Sequence, residues 1–120
     1  MKPDFDLVRR LMIDIANRPI SNAPPHIQYT DCDAKTINWH LAYLIDANLL
    51  KGKVLGLSMA PDRVAVLGIT PAGYEFVRVA EDDTLWRRSK SWMLKTAVPF
   101  TIQALFEWLK AEAKAKLGIP

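Results

Sequence analysis

The residues able to do chemistry in this chain are few, and their types limit what that chemistry can be. Lys35 and Asn38 stand one helical turn apart in DAKTINWHLAYLID, and Lys51, Lys53 and Arg63 follow in the next apolar runs. Lysine and arginine neutralise phosphate, while asparagine carries the paired donor and acceptor that match a base edge. Trp39 and Tyr43 are spaced as neighbours on a helix surface and offer rings to a sugar-phosphate surface or a protein partner. Soft metal ligands are limited to His26, Cys32 and His40, no two of which have the short spacing of a zinc site, so no metal is expected. His40 reads as a polar packing residue and Cys32 as a small structural one, since no His or acid constellation is matched to the thiol. Asp82 and Asp83 are adjacent and point in different directions on a helix, which suits capping better than acid-base work. Gly52 and Gly56 belong to a hairpin and not to a strand-to-helix phosphate loop. With no nucleophile, base, cofactor site or small-molecule ligand to name, the expectation is a non-enzymatic protein.

The elements that must position these residues follow from spacing. Ala34, Ile37, Leu41, Leu44 and Ile45 recur at threes and fours, the period of a helix with one core face. Asp31 or Asp33 caps its start, and Asn48 tolerates the left-handed conformation at its end. A helical wheel sets Lys35, Trp39, Ala42, Tyr43 and Asp46 opposite the core stripe. Lys53 to Ser58 and Arg63 to Ile69 then flank the turn-forming Met59-Ala60-Pro61-Asp62, which predicts a β-hairpin. A helix feeding a hairpin is the order of recognition helix and wing in DNA-binding winged-helix proteins. That order makes Lys35, Asn38, Lys51, Lys53 and Arg63 candidate contacts to duplex DNA. Two other readings compete with it. Charges on a hairpin also guard strand edges against aggregation, and Trp39 and Tyr43 suit burial under another helix of the chain or contact with a partner protein.

The remaining segments repeat the helical logic. Val8, Leu11, Met12 and Ile15 form the stripe of a first helix, capped by Asp4 and stopped near Asn17 by Pro19. Arg18 to Thr30 carries Pro19, Pro24 and Pro25 and predicts an irregular connection with a short strand at His26 to Tyr29. It is too proline-rich to supply the helix that usually precedes a recognition helix. Thr70-Pro71 opens a third helix with Ala72, Phe76, Val79 and Ala80 inward, and Gly73 there implies a close approach to a neighbouring element. Asp82 or Asp83 caps a fourth helix bearing Leu85, Trp86, Ser89, Trp92 and Met93, which Pro99 ends. A fifth carries Ile102, Leu105, Phe106, Leu109, Ala113 and Leu117 and stops at Gly118. The fold class expected is mainly α with a small β-hairpin (α+β). It comprises a winged helix-turn-helix-like unit over residues 1–80 and a C-terminal helical extension over 81–120, in one compact domain, with Trp86, Trp92 and Phe106 mostly buried.

Composition bounds the partners. A chain of 120 residues, 50% hydrophobic and 24% charged, can bury a core without staples and is not disordered. A net charge of +3 permits an anionic partner without demanding one, and Arg87, Arg88, Lys90 and Lys95 concentrate positive charge in the C-terminal third. One cysteine fits a reducing compartment, and no signal peptide or membrane span is legible, so the cytoplasm is the expected location. The apolar surface of the last two helices, with Trp86, Trp92, Phe106 and Trp108, predicts a homodimer built through them.

The opening DFDLVRRLM, the segment WHLAYLIDANLLKG, and ITPAGYEFVRVAEDDTLW with a lysine-bearing helix after it resemble an uncharacterised domain-of-unknown-function family of small bacterial and phage proteins. The spacing of Thr70, Gly73, Glu75, Phe76, Asp82, Asp83, Thr84 and Trp86 is its most specific part. The resemblance covers nearly the whole chain and implies a winged-helix-like unit with a C-terminal helical extension, but no activity. A shorter likeness, His40-Leu41, Leu44 and Ala47-Asn48-Leu49, is to the recognition helix of small bacterial winged-helix repressors, with asparagine in place of the usual glycine.

Overall fold

Asp4 caps the first helix, its carboxylate accepting from the backbone N–H groups of Asp6 and Leu7. In the computed structural model, which describes residues 2–19, 21–57, 60–96 and 101–118, the order of elements is α1 (Phe5–Asn17), α2 (Ala34–Asp46), β1 (Leu50–Leu57), β2 (Ala60–Ile69), α3 (Pro71–Ala80), α4 (Asp83–Lys95) and α5 (Ile102–Lys116). The protein is α+β, mainly α with a single two-stranded antiparallel hairpin among the described residues. Two compact units divide it, Met1–Tyr74 and Glu75–Pro120, with the boundary inside α3.

In the first unit, Leu7, Val8, Leu11, Met12 and Ile15 of α1 are buried, as are Ile37, Leu41 and Leu44 of α2. His40 is 1% exposed and joins the two helices. Its Nε2 accepts from the Asp4 N–H at 2.9 Å, and its Nδ1 lies 2.8 Å from the Thr36 carbonyl. A backbone N–H can only donate, so the ring is the neutral tautomer with its proton on Nδ1, given to Thr36. The polar packing role expected for His40 is the one it has.

Asp33, rather than Asp31, caps α2 by accepting from the Thr36 N–H at 2.7 Å. The helix ends as Asn48 turns left-handed, at φ 61°. The Asn48 N–H then reaches the Ile45 carbonyl and the Leu49 N–H the Leu44 carbonyl, both at 3.0 Å. This is the Schellman pattern, in which a residue of positive φ lets two otherwise orphaned carbonyls be satisfied. The chain leaves it directly into β1.

The hairpin pairs Leu50 with Ile69 and Leu57 with Ala60, with bulges at Lys51/Gly52 and Leu55/Gly56. β2 therefore starts inside the tetrapeptide expected to form the turn, and Ser58 and Met59 lie outside the described residues. Buried Leu50, Val66 and Ile69 face α2. Gly52 shares that inner face, where a Cβ would meet Ile45 Cδ1 at 2.8 Å. Absence of a side chain lets the helix lie on the strand.

Thr70 caps α3 and ties it back to the α2–β1 corner. Its hydroxyl donates to the Asn48 carbonyl at 2.6 Å and accepts from the Gly73 N–H at 2.9 Å, while its own N–H reaches the Leu49 carbonyl at 3.3 Å. A Cβ on Gly73 would strike that same Leu49 oxygen, which is backbone and cannot move aside cheaply. The close approach inferred from this glycine is thus to the strand entry.

In the second unit Asp82 caps α4 through the Thr84 and Leu85 N–H groups, and Thr101 caps α5 through Ala104. Leu85, Trp86, Ile102, Leu105 and Leu109 are buried. Trp92 and Phe106, expected mostly buried, are half-buried. Trp92 stacks on Trp108 at 5.6 Å, and Phe106 meets Phe76 edge-on at 5.6 Å. Leu117 follows the last turn of α5 and is 72% exposed, so the stripe ends a turn earlier than its spacing implied. Pro99, expected to end α4, lies outside the described residues.

Replacing Gly73 by alanine is expected to lower stability by about 2–3 kcal/mol through forced separation of α3 from Leu49. Gly68→Ala, where a Cβ meets nothing within 4 Å, is expected to change it by less than about 0.5 kcal/mol. Urea denaturation of the two variants measures both, and equal midpoints would show that the Gly73 contact is not a constraint.

Candidate nucleic-acid interface

Side chains alternate across a strand, so the inward position of Gly52 sends Lys51, Lys53 and Leu55 to the opposite face of the hairpin. Their cross-strand neighbours on that face are Arg63, opposite Leu55, and Ala65, opposite Lys53. Leu67 is the extra residue of the first bulge and also points outward, 61% exposed, while Leu55 is 58% exposed. Lys51, Lys53 and Arg63 are all exposed. The structure thus gathers three of the sequence-predicted cations around two apolar side chains, on the side of the hairpin turned away from α2.

The α2 candidates are arranged differently. Lys35 is exposed in the first turn, whereas Asn38 is half-buried. Trp39 and Tyr43 stack on each other at 5.6 Å with their planes 11° apart, and Trp39 meets His40 edge-on at 5.0 Å. Both rings are half-buried. Ala42, set opposite the core stripe by the helical wheel, is in fact buried at 8% exposure. Two sides of α2 are therefore covered, and only Ala34, Lys35 and Asp46 of the helix are fully exposed. Lys35 stands on α2, and the other cations stand on the hairpin.

Several other cations are engaged within their own unit. Between α1 and α2 the strand expected at His26–Tyr29 does not form, and Tyr29 and Cys32 make an isolated bridge. Prolines deny this segment a ladder, and side chains hold it instead. Arg18 gives two hydrogen bonds to Asp14, at 3.0 and 3.1 Å, and the Tyr29 hydroxyl donates to the same carboxylate at 2.6 Å. Arg10 lies 3.8 Å over the Tyr29 ring and reaches both oxygens of Asp31 at 2.9 and 3.0 Å. The i,i+4 spacing of Asp14 and Arg18 was visible in the sequence, but nothing local pointed to Tyr29. In the second unit Arg88 meets Glu112 at 2.8 Å and Lys116 meets Asp82.

These pairings set protonation. Burial alone would raise Asp14, but the hydrogen bonds from Arg18 and Tyr29 outweigh it and hold the carboxyl below the usual range. Burial, reinforced by the charge of Asp14, pushes the Tyr29 hydroxyl up, so it stays a donor. Burial also pushes the Cys32 thiol up, aided by Asp33 and Asp31, which disfavours the reactive thiolate.

No group of three or more potential metal-holding side chains occurs among the described residues, and no described helix is long and apolar enough to cross a membrane. The chain belongs to a family of hypothetical proteins of unknown function, DUF2513, whose model matches residues 2–99. No curated protein and no solved structure matches the chain.

The depressed Asp14 carboxyl makes the connecting segment sensitive to acid. Its contribution is fully present above the unfolded carboxylate value, about 3.9, and is lost as pH falls through the lower folded value. Denaturant midpoints are therefore expected to drop below about pH 4. Tyr29→Phe removes one donor, and it should cost about 1 kcal/mol at neutral pH and move the acid loss upward. A Tyr29→Phe acid profile superimposable on the parent would show that the hydroxyl does not hold Asp14.

Proposed function

We propose that this DUF2513 protein is a non-enzymatic, winged-helix-type protein that binds duplex DNA and acts as a regulator of bacterial or phage origin. The observation that carries the reading is the outward hairpin face, where Lys51, Lys53 and Arg63 stand exposed on two paired strands. Elsewhere Arg10, Arg18, Arg88 and Lys116 are held by carboxylates, whereas three exposed cations share this one face of a chain whose net charge is +3. Local density of cations, more than net charge, sets phosphate affinity. The order helix, hairpin, helix supports the winged-helix reading, and the irregular segment before α2 departs from it.

A protein partner is the second reading, favoured by Leu55 and Leu67, which give the same face an apolar centre inside a polar rim. In either case we assign self-association to α4 and α5, whose half-buried Trp92 and Trp108 stack side by side. A second copy would duplicate the basic face.

Titrating the full chain against a short random-sequence duplex at several salt concentrations tests the function. Binding is expected, with log K falling linearly against log salt at a slope of about −0.9 per neutralised phosphate. Absence of binding at low salt would remove the DNA reading and leave the protein partner. Sedimentation of the same sample checks the dimer, which a monomer at high concentration would overturn.

A further inference from the structure

A recognition helix reads bases with polar side chains projecting from its outer face, and α2 has little of that kind to project. Its outward middle is Trp39, Ala42 and Tyr43, of which Ala42 is buried and the rings are half-buried against each other. Its last turn exposes Asp46, an acid that phosphate would repel. Lys35 alone is left exposed as a cation. The hairpin has the complementary character, with cations on both strands and two exposed leucines between them.

We propose that the hairpin, and not α2, is the reading element, entering the major groove of duplex DNA as a two-stranded β-ribbon with Lys51, Lys53, Leu55, Arg63 and Leu67 toward the bases and phosphates. This rests on the DNA-binding reading above and specifies how it is achieved. The dimensions agree, because strands about 4.8 Å apart fit a groove about 12 Å wide that admits such a ribbon. Lys51 and Lys53 sit about 7 Å apart along β1, with Arg63 on the other strand, so charge is offered to both groove walls. Arginine and lysine match the acceptor edge of guanine, and leucine suits contact with the thymine methyl. Each bulge adds local twist, which a ribbon following a helical groove requires. The base of the ribbon is held by Ile45 against Gly52 and by the Thr70 hydrogen bonds, so little ordering remains to oppose binding.

The test compares the full chain with Lys51→Gln/Lys53→Gln/Arg63→Gln and with Lys35→Gln on one random-sequence duplex. A matching duplex whose cytosines carry bulky major-groove substituents serves as a blocked target. All substituted side chains are exposed, so the variants are expected to melt with the parent. The hairpin variant is expected to flatten the log–log salt slope by about three, and Lys35→Gln by about one at most. The blocked duplex is expected to bind at least about tenfold more weakly, from loss of base-edge contacts. A slope that falls with Lys35→Gln and not with the hairpin variant would overturn the inference while leaving DNA binding intact. Equal affinity for blocked and open duplex, or for polyglutamate and DNA, would overturn it too, since the face would then be reading charge alone. A parent that binds no duplex removes the DNA reading itself and the ribbon with it.

Discussion

The Thr70 hydroxyl is the hinge pin of the first unit. It donates to the Asn48 carbonyl and accepts from the Gly73 N–H, so a single oxygen joins the end of α2 to the start of α3. Both corners of the hairpin are fixed by that joint, because β1 leaves from Asn48–Leu49 and β2 returns into Thr70. Thr70 is buried at 4% exposure, where an unmade hydrogen bond leaves a carbonyl and an amide stranded at a cost of about 1–3 kcal/mol each. Gly73 belongs to the same arrangement, since only a residue without a Cβ lets α3 come close enough for the bonds to form. The positive φ of Asn48 completes it by aiming the carbonyl at Thr70 and sending the chain into β1.

Most of the framework was legible because it is encoded locally. The caps at Asp4 and Thr70, the left-handed Asn48 and the stripes Val8–Ile15 and Ile37–Leu44 follow from residue type and helical period, and the structure contains each of them. The hairpin was legible as a pair of runs, but its register was not. Bulges at Lys51/Gly52 and Leu55/Gly56 depend on which residue must face α2, and that is a tertiary fact. His26–Tyr29 failed as a strand for a related reason. Its pattern is extended, yet it has no ladder partner beyond the Tyr29–Cys32 bridge, and Asp14, Arg18 and Arg10 hold it through side chains far away in sequence.

The candidate residues were legible by type, and their surroundings were not. Recognition helix and wing usually cooperate, which groups Lys35 of α2 with the cations of the hairpin. A helical wheel assumes one inward face. The buried Ala42 and the half-buried Trp39 and Tyr43 show that α2 has more than one. Nothing in the period of a thirteen-residue helix reveals a second covered side, because alanine and aromatics are acceptable on either.

Charge pairing then decides what remains for a partner. Arg10 and Arg18 lie near carboxylates that they hold by direct hydrogen bonds, and their release would cost those bonds as well as the order of the segment between α1 and α2. Cations engaged in this way contribute to net charge but little to recognition. On the hairpin Lys51, Lys53 and Arg63 instead stand exposed on the outward face. A strand face is also the economical place for such a set: its side chains project at right angles to a backbone already held on the other side by α2, so binding orders side chains and not the chain itself. The hairpin's inner face is buried against α2 and its outer face is left to solvent.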